Sequence, residues 1–312
     1  MKASGKKGEN EMSESSTQKN KIREPLGDRI LKMVVVLLVV LLTLCCILPI
    51  LNIAATSFSS ARAITSNEVV FLPVEFSLDA YKTVFSSGPL LKSMAYSILI
   101  TLIQVALSVT MTVLIAYPLS ETKLVGRKPI WMFVLFTMYF SGGMIPLYLL
   151  LNDLNMLNTM WSLILPGAIS TYNMILMRTY FSSIPSALKE AALIDGADDA
   201  TVLMKIILPL SKSMLATIAL FYGVSRWNAV QDGLIYITDP NKFILQVRLK
   251  NIIMSSSALD EMISEGNNNN MMLQSDQIRS ASLCFSILPV MLVYPFLQKY
   301  FVKGVMIGSV KG

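Results

Sequence analysis

Met33 to Ile53 runs without a single Asp, Glu, Lys or Arg, and five further stretches share that property: Ser93 to Tyr117, Ile130 to Leu151, Trp161 to Met177, Ser213 to Ser225 and Ser280 to Gln298. A helix needs roughly 20 apolar residues to cross the hydrocarbon of a bilayer, so the longer runs have the length of membrane spans. The composition agrees, since only 15% of the residues are charged, against about 25% in an ordinary soluble domain. The expected fold class is therefore an all-α membrane protein with six transmembrane helices. Irregular backbone is excluded from lipid because its polar groups would go unbonded.

Several function classes lose support at once. Half of the net charge of +6 belongs to one tail, with eight of the 26 Lys and Arg and five of the 20 Asp and Glu in the first 32 residues. No basic stripe interleaved with aromatics follows, which argues against nucleic acid as a partner. There is no histidine, and the three cysteines, Cys45, Cys46 and Cys284, show no Cys-x-x-Cys spacing, so no metal site and no disulfide framework is expected. No G-x4-G-K-[ST] phosphate loop is present. The candidate spans also lack the interior ionisable groups that ion-coupled transporters use. No cofactor of the chain's own is expected, and no catalytic residue. A transporter of this kind takes work from a partner or conducts passively.

Residues 1–30 are rich in Lys, Glu, Ser, Gln and Asn and read as a disordered basic tail. A basic leader before an apolar run, with Ala61-Arg62-Ala63 as a cleavage site, resembles a secretory signal, but the run is longer than the usual ~7–15 residues and an uncleaved first span is favoured. Lys and Arg are retained on the cytoplasmic side. The tail, the 118–129 loop and the 178–212 loop are basic, and the 152–160 loop has no basic residue. Both termini are therefore expected in the cytoplasm, with 226–279 outside. Within that outer loop, Ser255-Ser256-Ser257 and Asn267 to Asn270 suggest a flexible tip. Pro49, Pro118, Ser141-Gly142-Gly143, Pro146, Pro166 and Pro289 punctuate the spans.

The break between the fourth and fifth spans carries the most specific signal. Pro185 suits the first turn of a helix over Ser186 to Leu193. Gly196 suits its stop, and Asp198 or Asp199 can cap a second helix running through Met204 that Pro209 would kink. Ala191 and Ala192 permit close approach of another surface, with Glu190 and Asp195 as polar handles, which fits docking into a partner's groove. The plain alternative is an amphipathic helix lying on lipid, for which large apolar anchors and cations would be the better composition.

Glu190-Ala191-Ala192-Leu193-Ile194-Asp195-Gly196, followed nine residues past the glycine by Ile206-Ile207-Leu208-Pro209, resembles the E-A-A-x3-G-x9-I-x-L-P loop of membrane subunits of bacterial ATP-binding-cassette (ABC) importers. Ser183-Ile184-Pro185 and Arg226-Trp227-Asn228 resemble the carbohydrate-importer permeases of that superfamily. Phe140 to Pro146 and the ending Phe301 to Gly312 are similar to a Firmicute subgroup linked to uptake of oligosaccharides or polysaccharide fragments. The resemblance covers nearly all of 30–312. It implies a type I ABC importer permease fold over 31–302 and a cytoplasmic tail over 303–312. The implied partners are a second homologous permease, two ATPase subunits that bind ATP in place of this chain, an extracellular solute-binding lipoprotein and a carbohydrate substrate.

Under that resemblance Glu190, Ala191, Ala192, Asp195, Gly196, Ala197, Leu208 and Pro209 form the ATPase-coupling loop. Val310, Lys311 and Gly312 are a candidate ATPase-contacting tail. Tyr172, Asn173, Trp227 and Asn228 are candidates for the substrate path, with aromatics near span ends also serving as interfacial anchors. The alternatives are an importer of a non-sugar solute, a passive channel or a membrane enzyme.

Overall fold

The computed structural model describes residues 26–86, 88–264 and 269–309. The expected tail residues Val310, Lys311 and Gly312, and most of the 1–30 tail, lie outside them. All regular structure among the described residues is helical. In order come α1 (Leu26–Ser57), α2 (Ala61–Thr65), α3 (Asp79–Ser86), α4 (Gly88–Ser120), α5 (Arg127–Tyr139), α6 (Met144–Asp153), α7 (Met160–Ile164) and α8 (Thr171–Ser183). Then follow α9 (Ser186–Ile194), α10 (Asp199–Val202), α11 (Leu208–Leu210), α12 (Lys212–Trp227), α13 (Val230–Tyr236), α14 (Leu245–Ser264) and α15 (Asn269–Ser309).

The chain forms two compact units, Met1–Ile50 and Leu51–Gly312. The first unit holds most of α1, whose Val, Leu and Ile side chains are exposed along its length. In water such a surface would be untenable, and it is the surface a lipid-facing helix presents.

In the second unit, α4 packs against α8 and α12 and organises the core. Its buried positions include Ser93, Ser97, Gln104, Ser108 and Thr112, while Leu99, Leu102 and Leu114 point outward. This polarity is the reverse of a soluble helix. Lipid tails solvate leucine well, so helices in a bilayer associate through small and polar contacts instead. Those contacts are present: Ser97 Oγ accepts from the Leu245 amide at 2.7 Å, the Thr112 and Tyr222 hydroxyls bond at 2.8 Å, and Gln104 Nε2 donates to the Gly167 carbonyl at 3.1 Å. Apolar clusters fill the space between, one of them built from Ala116, Tyr117, Met177, Phe181, Ile207 and Ile218.

Three helices among the described residues are long and apolar enough to span a bilayer, or up to five if each bent pair counts as one span. The run Ile130 to Leu151 is such a pair, α5 and α6 meeting at 108° across Phe140–Gly143. The run Trp161 to Met177 is divided into α7, an irregular stretch 165–170, and α8. Pro166 and Gly167 are poor helix formers, and the backbone they free is bonded from other helices: Tyr222 Oη accepts from the Ser170 amide at 2.9 Å. Ser255 to Ser257, expected in a loop tip, continue α14.

Candidate functional site

The polar break folds as an elbow. Helix α9 occupies Ser186–Ile194, with Pro185 at the position before it in extended backbone (ψ 130°). Its end is closed by the Asp195 amide on Ala191 O (3.1 Å), the Gly196 amide on Leu193 O (3.1 Å) and the Ala197 amide on Ala192 O (3.0 Å). Gly196 has φ +83°, and nothing lies within 4 Å of where a Cβ would stand. The glycine is therefore required by backbone conformation and not by crowding. Asp198 caps α10, its Oδ1 accepting from the Thr201 amide at 3.0 Å. Bonds from the Thr201 side chain and amide hold the Asp198 carboxyl below the usual carboxylate range.

The second helix differs from expectation. A π-helical turn, Leu203–Ile207, follows α10, and the bend of 81° falls at Ser211, past Pro209. Pro209 sits in the first turn of α11, where a missing N–H costs little. The wide turn ahead of it carries the Leu208 amide to the Leu203 carbonyl.

The elbow has two faces. Ala192, Ala197 and Leu208 pack against the core cluster that contains Tyr117 and Phe181. Glu190, Ala191, Asp195 and Gly196 are exposed, with Leu188, Leu193 and Ile194 beside them, the last 85% exposed. Small and apolar side chains standing out on a capped, preformed element have the chemistry of a helix that docks into a groove.

Its attachment to the bundle was not foreseen from the sequence. Lys189 pairs with Glu121, just past the end of α4, and its ammonium lies 5.6 Å from the Tyr117 ring centroid. The last carbonyls of α4 are also capped: Arg127 Nε and Arg178 Nε both donate to Leu119 O, at 3.0 and 3.1 Å. Cations there answer the partial negative charge of a helix C-terminus. A hint was available in the basic cluster of the 118–129 loop, although residue types alone do not reveal a shared acceptor.

Between α4, α8 and α12 lies a cavity of about 440 Å³ lined by Gln104, Ser170, Tyr172, Asn173, Arg226 and Asp232 among others. Tyr172 and Asn173 thus meet in one place. Trp227 and Asn228 do not join them: Trp227 is buried with Leu90, Met94 and Leu245, and Asn228 is exposed with Nδ2 turned back to Val224 O at 3.0 Å. Arg226 is 5% exposed and bonds to Leu163 O (2.5 Å), Ala229 O (3.2 Å) and Asp232 Oδ2 (3.0 Å). Asp232 also lines a second cavity of about 540 Å³, shared with Gly142, Gly143, Gln231 and Tyr236. In the sequence Arg226 stood only as part of the Arg226-Trp227-Asn228 resemblance, and Gln104 had no role.

A helical membrane bundle with a capped elbow and polar internal cavities has the parts that a transport permease requires. Residues 124–307 match the family model described as the binding-protein-dependent transport system inner membrane component, and the chain belongs to that family. It is 40% identical over 287 residues (92% of this chain, 100% of the relative) to the polygalacturonan/rhamnogalacturonan transport system permease protein YtcP of Bacillus subtilis (strain 168). It is 42% identical over 267 residues (85% and 90%) to Protein LplC of the same organism. Among solved structures it resembles a chain from the crystal structure of a bacterial ABC transporter involved in the import of the acidic polysaccharide alginate, with TM-score 0.80, 35% identity and coverage of 89% of this chain and 98% of that one. The protein is an inner-membrane permease.

Proposed function

We propose that this permease carries oligosaccharides inward, driven by ATP that partner chains bind and hydrolyse. The observation that carries the proposal is the elbow, a preformed helix anchored to the bundle by one face and exposing Glu190, Ala191 and Ile194 on the other. In this reading the chain has six spans with both termini in the cytoplasm, a coupling loop over 178–212 and an outer segment over 226–279 that meets a solute-binding lipoprotein. Two related permeases form the pathway and two ATPase subunits seat the elbows. Closure of the ATPase pair draws the elbows together, and the helices attached to them carry the motion to the cavities. Val310 to Gly312 contact the ATPases. The carbohydrate class is supported by the sugar-polymer systems named for the similar chains.

Gentle solubilisation of the tagged chain from its native membrane, with mass spectrometry of what co-purifies, tests the assembly. A cassette ATPase and a second permease are expected. Uptake by the recovered complex of a panel of oligosaccharides, amino acids and peptides tests the solute class. A chain that purifies alone under several mild detergents, or uptake confined to a non-sugar solute, would overturn the corresponding part.

A further inference from the structure

The carboxamide of Gln104 is 5% exposed and sits on the inward face of α4. Its Nε2 is fixed by the Gly167 carbonyl, and a Cβ on Gly167 would stand 2.7 Å from that nitrogen, so only glycine leaves room for the amide there. With the nitrogen committed, Oε1 is left as a buried acceptor that has no hydrogen-bond partner. Leaving such an atom unbonded costs roughly 1–3 kcal/mol, and native structures seldom tolerate it without a reason.

The reason is supplied by what Gln104 lines, a cavity whose other polar walls include Ser170, Asn173 and Ser225. The charged pair in that wall is already committed, since the Arg226 guanidinium bonds to two carbonyls and to Asp232. No cation there is left to greet a carboxylate. A free acceptor without a free cation selects an uncharged hydroxyl donor.

We infer that Gln104 Oε1 accepts a hydrogen bond from a hydroxyl of an uncharged saccharide unit lodged in this cavity during transport. The inference rests on the carbohydrate reading above and gives it a contact point. Ser108, one turn along α4, provides an internal control: its hydroxyl is equally buried and unbonded, but it does not line the cavity.

The test uses the complete transporter in proteoliposomes with labelled galactotriose and trigalacturonate as probes. Gln104→Leu, recovered in a complex of normal composition, should lower uptake of galactotriose about tenfold, the worth of one hydrogen bond to a buried group, and wild type should prefer galactotriose to trigalacturonate. Ser108→Ala should match wild type. Gln104→Cys, in a chain whose Cys45, Cys46 and Cys284 are replaced by alanine, should react with a small thiol reagent and be protected when the probe is supplied with binding protein and ATP. A purely packing role would not produce protection that depends on solute. Wild-type galactotriose uptake in Gln104→Leu, labelling at position 104 that galactotriose does not slow, or a wild-type preference for trigalacturonate would overturn the inference alone. Failure of wild type to carry either saccharide, in a complex that carries another solute class, would overturn the carbohydrate reading and this contact with it.

Discussion

Lys189 of the elbow helix and Glu121 just past the end of α4 form a partly buried ion pair, the Lys189 side chain retaining 13% of its exposure. It joins the element that faces outward to the helix around which the bundle is packed. Loss of one partner leaves the other charge poorly compensated, at a cost of roughly 1–3 kcal/mol. Lys189→Met and Glu121→Gln should therefore each weaken transport while the complex still assembles. The exchange Lys189→Glu with Glu121→Lys should recover much of it. Uptake per ATP hydrolysed is the measurement, and an exchange no better than its two single changes would show that the pair does not act as a strut.

Gly196 should resist substitution for a conformational reason. At φ +83° an L-residue costs roughly 1–2 kcal/mol, and asparagine tolerates that region better than most. Gly196→Asn should retain more uptake than Gly196→Ala, and Gly196→Pro, which also deletes the amide bonded to Leu193 O, should retain least. The ranking, at equal membrane levels of the three proteins, checks the account.

The Asp198 cap predicts a pH dependence confined to acid. Its folded-state carboxyl is held low chiefly by the Thr201 side chain, then by the Thr201 amide. A depressed carboxyl contributes stability that is fully present above the ordinary Asp value of about 4 and lost as pH falls through the lower folded value. Hydrogen exchange at the Thr201 amide should lose protection below about pH 4 in wild type. In Asp198→Asn, which keeps an oxygen acceptor but does not titrate, protection should be flat over that range.

Two glycines should respond in opposite ways to alanine. A Cβ at Gly233 would meet Val247 Cγ2 at 2.7 Å and Ile244 Cδ1 at 2.8 Å, whereas at Gly223 the nearest atom is Val105 Cγ2 at 3.5 Å. Overpacking costs about 1–3 kcal/mol, while Gly→Ala inside an uncrowded helix gains about 0.5–1 kcal/mol. Thermal unfolding in detergent should fall for Gly233→Ala and hold or rise for Gly223→Ala.

What the sequence revealed and what it hid divide along the range of the interactions. The elbow was legible because a capping aspartate, a positive-φ glycine and an N-terminal proline act within a few residues of themselves. The apolar runs announced the membrane. Pro166 signalled a break inside Trp161 to Met177, but what satisfies the freed backbone was hidden, since Gln104 and Tyr222 come from helices far away in sequence. The anchoring role of Arg226 was hidden as well, because its partners at Leu163 and Asp232 become neighbours only in the folded bundle. Of the substrate-path candidates, Tyr172 and Asn173 reach the cavity, while Trp227 serves the core. An aromatic at a span end looks the same in both roles.

In the function proposed above, the exposed face of α9 transmits ATP-driven work to the permease. Glu190 lies on that face, so its replacement by lysine alters the docking surface without touching the core. Measuring solute uptake and ATP hydrolysis in the same proteoliposomes, for wild type and Glu190→Lys, tests the claim most directly. Glu190→Lys should give a complex that inserts normally and imports little, with hydrolysis either lost or no longer matched to uptake. Wild-type uptake at wild-type stoichiometry in Glu190→Lys would contradict it.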